Sequence, residues 1–107
     1  MLCTDGVTDN VSNDAVVAIV EKHYATVASG SDMAAAACAA AEEIIDKAER
    51  RSAFDNGIAA ADLRAMPPGA ERRRKTDDMT ATVVFFPPTA GAPCYFLGCL
   101  GKRCFVE

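Results

Sequence analysis

The chain has 107 residues, half of them hydrophobic, with five cysteines, no tryptophan and a formal net charge of −4. That length allows one small domain, and the alanines that swell the hydrophobic fraction bring little area each, so the supply of core is thin. The acidic balance argues against nonspecific nucleic-acid binding, which draws its affinity from neutralised phosphates. No apolar run approaches the roughly 20 residues of a bilayer span, and the first residues lack a secretory leader's pattern, so no membrane partner is expected. An odd number of cysteines, dispersed except near the end, does not read as a secreted disulfide framework, and reduced thiols are the expected state.

Met1 to Cys3 reads as the end of a strand, with Asp5 to Asn10 as the turn beyond it. A first helix follows. Ser12 is a good N-cap, Asp14 suits the positive helix end, and Val11 can staple onto Val16. Val16, Ile19, Val20, Tyr24 and Val27 recur at helical spacing, which predicts one apolar face and a helix running to about Ala28. Ser29-Gly30-Ser31 punctuates the chain, and Asp32 can cap a second, alanine-rich helix from Met33 to about Arg51. Its stripe of Ala34, Ala37, Cys38, Ala41, Ile44, Ile45 and Ala48 suits close approach to a neighbour, and Glu43 with Lys47 forms an i,i+4 pair. Asp55-Asn56-Gly57 is turn chemistry, a short helical piece is expected over 58–66, and Pro67 to Thr76 reads as an exposed loop. Met79 to Phe86 is a strand, rich in Thr, Val and Phe and stopped by Pro87-Pro88. Beyond it lies a Pro/Gly/Cys-containing tail, residues 87–107, with a short strand at Tyr95 to Leu100.

Two strings carry the chemistry. In LCTDGVTDN, Leu2 to Asn10, Asp5 and Asp9 bracket a turn where a hydrophobic segment ends. In KTDDMTATVVFF, Lys75 to Phe86, the pair Asp77-Asp78 opens a strand. Either string alone reads first as ordinary turn or surface chemistry, since Asp and Gly are common turn residues. Together, two carboxylate-bearing strand ends can converge on one metal site.

The pair resembles the last two motifs of the metal-dependent protein serine/threonine phosphatases of type 2C, the PPM family. Thr4-Asp5-Gly6 with Asp9 matches the family's Ser/Thr-Asp-Gly turn and its following Asp. Asp77-Asp78-Met79-Thr80 matches its closing Asp-Asn or Asp-Asp pair. The reading TDGVTDNVS, with a second Asp in place of Asn, is most similar to the organellar, T-cell-activation-type branch, which hints at a mitochondrion or plastid. The resemblance covers residues 1–86. The family's Asp-Gly-His-Gly loop has no counterpart, and the single histidine, His23, is not followed by Gly. The chain therefore looks like the carboxy-terminal part of a larger phosphatase domain.

What the resemblance implies is an α+β fragment of an α-β-β-α four-layer sandwich, contributing two main helices plus one or two strands. It implies Asp5 and Asp77 as direct ligands of Mg²⁺ or Mn²⁺, Asp9 on a further metal or its water shell, and Asp78 one layer out. Hard divalent ions want such oxygen donors, and a metal-held water would attack a phosphoserine or phosphothreonine ester of a protein substrate without a phosphoenzyme. The upstream half of the domain would be needed to complete the site, and the fragment alone is expected to be inactive. An exposed strand edge and an uncovered helix face should follow.

Other candidates stand beside these. Arg72, Arg73 and Arg74, with Lys75, can attract a substrate phosphate through guanidinium pairing, or can form a solvated loop. His23, between Lys22 and Tyr24 on a helix, reads as a boundary residue rather than a general acid. Cys94, Cys99 and Cys104 recur every fifth residue, which matches neither a zinc pair nor a prenylation box ending in Glu107. The rival functional class is a noncatalytic interaction or decoy fragment, or a small cysteine-tailed binding module.

Overall fold

A computed structural model describes residues 1–86 in full, together with the backbone of 95–100 and 103–106. Both long helices begin where a capping side chain meets an orphan amide. Ser12 accepts from the Ala15 amide at 3.3 Å to open α2, Asn13–Ala28, and Asp32 accepts from the Ala35 amide at 2.8 Å to open α3, Met33–Asp55. Both end in the same way. After α3 the Gly57 and Ile58 amides donate to the Phe54 and Ala53 carbonyls, and after α2 the Gly30 and Ser31 amides donate to Val27 and Thr26. This is a Schellman closure, which needs a left-handed residue; Gly30 at φ 98° and Gly57 at φ 64° supply it.

The remaining elements are short. Strand β1 is Leu2–Cys3, helix α1 is Asp5–Thr8, α4 is Ala60–Ala65 and α5 is Ala70–Arg73. Strand β2 is Thr80–Phe85, followed by β3 at Tyr95–Leu100 and β4 at Arg103–Val106. The four strands form one antiparallel sheet in the order β1-β2-β3-β4, with Cys3 opposite Ala81 and Cys99 opposite both Ala81 and Cys104. The class is α+β, as expected. The sheet has more strands than the expected one or two, because β4 lies in a segment whose composition suggested only a tail. The expected short strand at Tyr95 to Leu100 is present. Pro87-Pro88 and Cys94 lie outside the described residues.

Alternation along β2 builds the core. Ala81, Val83 and Phe85 are buried and face the helices, while Thr80, Thr82 and Val84 are half-buried on the other face. Helix α3 contacts β2 with the small stripe Ala37, Ala40, Ala41, Ile44 and Ala48, so its backbone comes close to the sheet. Helix α2 packs on α3 through Val16 and Ile19, and Tyr24 sets its ring edge-on to Phe85 at 5.1 Å between centroids. Val7 and Val11 complete this cluster from the first turn. Leu2 is 73% exposed on β1, which lies at one end of the strand order.

Several expectations change. Helix α3 continues past Arg51 to Asp55, because Ser52 and Ala53 keep its buried face going for another turn. Glu43 does not pair with Lys47 along its own helix. It reaches across to α2, accepting from Lys22 Nζ at 2.8 Å and meeting His23 Nε2 at 2.7 Å. The interhelical partners win because Glu43 sits on the side of α3 that faces α2. On the opposite side Arg64 of α4 pairs with both Asp46 and Glu49, pinning α4 to α3. Helix α5 also occupies part of the segment expected to be a plain loop. Cys3 is a free thiol whose pKa is raised by burial.

The Lys22 and His23 hydrogen bonds hold the Glu43 carboxyl below the usual glutamate range. A depressed carboxylate contributes stability above its unfolded pKa and loses it as pH falls through the folded value. Glu43→Gln should therefore be less stable than wild type above a pH of about 4.3, the ordinary glutamate value, with the gap closing on further acidification. Urea unfolding at a series of pH values measures that convergence; a gap independent of pH would rule out the carboxylate as its source.

Candidate metal and phosphate site at the strand entrance

The string TDGVTDN winds into a helical turn rather than an open loop. The Thr4 carbonyl accepts from the Val7 amide at 3.0 Å and the Asp5 carbonyl from the Asp9 amide at 2.8 Å. Asn10 closes the turn by donating its side-chain amide to the Gly6 carbonyl at 2.8 Å. Winding the turn in this way drives Val7, fully buried, into the core and leaves Asp5 and Asp9 at the surface.

Thr4 ties this turn to the second string. Its hydroxyl donates to the Asp78 carbonyl at 3.1 Å and accepts from the Thr80 amide at 2.9 Å, while its own amide donates to the Thr80 carbonyl at 3.0 Å. Gly6 allows the approach to be close. A Cβ at Gly6 would lie 2.7 Å from the Asp78 carbonyl oxygen and 3.3 Å from the Asp77 Cβ. The two aspartate strings are therefore in direct contact across the chain.

Local hydrogen bonds orient two of the carboxylates. Asp5 Oδ1 accepts from the Gly6 amide at 3.0 Å, and Asp77 Oδ1 accepts from the Asp78 amide at 2.8 Å. Each leaves its second oxygen for another partner, which is the donor type that Mg²⁺ or Mn²⁺ prefers. Among the described residues, no three His, Cys, Asp or Glu side chains converge closely enough to hold a metal ion. Carboxylate oxygens are the donor type such an ion takes, but fewer than three of these side chains come together here.

Beside the aspartates lies an open cleft of about 260 Å³. Asp9 and Asp77 both line it, and Arg73, Arg74 and Lys75 border it. Asp5 and Asp78 do not contribute to its lining. The arginine run divides: Arg73 and Arg74 are exposed at the cleft, whereas Arg72 turns away and donates to the Met66 carbonyl at 3.2 Å. His23 stays far from this chemistry, on the α2–α3 contact with Glu43. The end of α3 also reaches the cleft through Ser52, Asp55 and Asn56. In the sequence Asp55 and Asn56 read only as turn formers. Their position after a long helix, before a left-handed glycine, was the available signal.

Comparison of the chain with protein-family models, curated proteins and solved structures finds no match.

Substitutions at two positions test the contact between the strings. Gly6→Ala places a methyl against a backbone oxygen that cannot swing aside, a cost of about 1–3 kcal/mol that outweighs the roughly 1 kcal/mol helix preference of alanine. Its thermal midpoint should fall. Thr4→Val removes a donor and an acceptor at nearly constant shape and should destabilise by about 1–3 kcal/mol, while Thr4→Ser retains most of the contact. Denaturant unfolding of the pair measures this, and equal losses for Val and Ser would remove the hydroxyl from the account.

Proposed function

We propose that the chain is part of a metal-dependent protein phosphatase of type 2C, acting on phosphoserine or phosphothreonine in proteins. The observation that supports this reading is the contact between the Asp5–Asp9 turn and the Asp77–Asp78 strand entrance through Thr4 and Gly6. Contact between these two strings is what the resemblance requires and what no local pattern within either one demands. In this reading Asp5 and Asp77 are metal ligands, Asp9 holds a further metal or its water, and Asp78 supports Asp77 from behind. A bound Mg²⁺ or Mn²⁺ would lower the pKa of a coordinated water and neutralise phosphoryl charge. Arg73 and Arg74 would attract the substrate phosphate, a role the geometry favours less for Arg72, which is occupied with the Met66 carbonyl. The complete ligand set, and the four-layer sandwich, require carboxylates and strands from outside this chain.

A second reading rests on the partial ligand set. With no three metal donors converging among the described residues, the chain as it stands is compatible with a noncatalytic interaction fragment.

Water-proton relaxation during Mn²⁺ titration separates the readings. The phosphatase reading expects weak Mn²⁺ binding that Asp5→Asn and Asp77→Asn each weaken by about tenfold or more, as loss of a ligand does. Identical titrations for all three proteins would sink the ligand assignment. Hydrolysis of a phosphoserine peptide by the chain alone is expected to be absent, and Mn²⁺-dependent hydrolysis lost in both variants would show that the partial set suffices.

A further inference from the structure

We propose that Ser52 and Asn56, at the end of α3, are positioning residues for Asp77. The inference rests on the reading of Asp77 as a metal ligand. Asp77 is exposed, and its side chain is not held by the core. What fixes it is the backbone on either side. Downstream, the Asp78 carbonyl is held by the Thr4 hydroxyl. Upstream, the Lys75 carbonyl accepts two hydrogen bonds, from Ser52 Oγ at 2.9 Å and from Asn56 Nδ2 at 2.7 Å. Asp77 is thus strung between two anchored carbonyls.

The upstream anchor is built for this contact. Ser52 is the one buried polar side chain among the described residues, at 4% exposure, and a buried hydroxyl requires a partner. The Lys75 carbonyl is that partner. Asn56 is exposed, yet it bridges the same carbonyl and the Ser52 carbonyl, at 2.8 Å, closing the helix end and the loop into one unit. A carbonyl oxygen has two lone pairs, so the two donors saturate it and define its direction. Only Thr76 lies between Lys75 and Asp77, a reach of at most about 7 Å, so directing the first constrains the second. Arg73 and Arg74, just upstream of this anchor, line the same cleft. Helix α3, packed against both β2 and α2, is the element from which this geometry is set.

Asn56→Asp and Asn56→Ala test the idea in the full chain, with Asp77→Asn as reference and Ser52→Ala as a second disruption of the same anchor. Asp is close in shape to Asn but cannot donate, so both Asn56 variants should speed amide exchange at residues 76–78 by about fivefold, the effect of one lost hydrogen bond. Exchange within α2 should not change, which distinguishes a local release from general destabilisation. Mn²⁺ affinity should fall about tenfold in Asn56→Ala and Ser52→Ala, which add no charge at the cleft, as for other residues that orient a ligand. Unchanged exchange at 76–78 overturns the anchor. Faster exchange with unchanged Mn²⁺ affinity, while Asp77→Asn abolishes binding, overturns the positioning role and leaves the metal reading standing. Mn²⁺ binding that is the same for wild type and Asp77→Asn overturns the metal reading, and the positioning role with it.

Discussion

The structure depends on one contact, in which the Thr4 hydroxyl bridges the Asp78 carbonyl and the Thr80 amide across 74 and 76 residues of chain. Strand β1 has only two residues, too few to hold a register by ladder hydrogen bonds alone. The threonine extends the pairing by one rung using a side chain where the main chain has already turned into α1. Gly6 then lets that turn press on the Asp77–Asp78 backbone. Without this close approach Val7 would not reach the core, and the two acidic strings would be separate surface features.

Around this contact the helices act as a frame. Helix α3 touches α1, α2, α4, β2 and β3, and its small side chains make that possible by admitting neighbours close to its axis. Its ends are secured by different means: Asp32 caps the start, and a Schellman closure with Gly57 seals the end. Ion pairs then fix the flanks, Glu43 toward α2 and Asp46 with Glu49 toward Arg64. Those at half-exposed positions contribute modestly to stability and more to orientation.

The candidate site inherits its shape from these elements. Opposite charges line one cleft, Asp9, Asp55 and Asp77 together with Arg73, Arg74 and Lys75. The two carboxylates whose orientation is defined, Asp5 and Asp77, are each turned by the amide that follows them, so the local Asp-Gly and Asp-Asp steps do more than form turns.

Much of the fold was legible in the chain itself. Ser12 and Asp32 announced the helix starts, Gly30 and Gly57 the stops, and the alternation of Thr80 to Phe85 the buried strand, because caps, left-handed glycines and period-two burial are local consequences of residue type. The strings LCTDGVTDN and KTDDMTATVVFF pointed to one another through their resemblance to a known arrangement. Other features could not be read in advance. Glu43 chose α2 over Lys47, Arg72 left the arginine run for Met66, and Ser52 with Asn56 took hold of the Lys75 carbonyl. Each depends on which long-range neighbour lies within about 3 Å of a particular polar atom, and no local pattern encodes that distance. Residue type determined where helices begin, where they stop and which carboxylates stand exposed; only tertiary packing decided which carbonyls they are strung between.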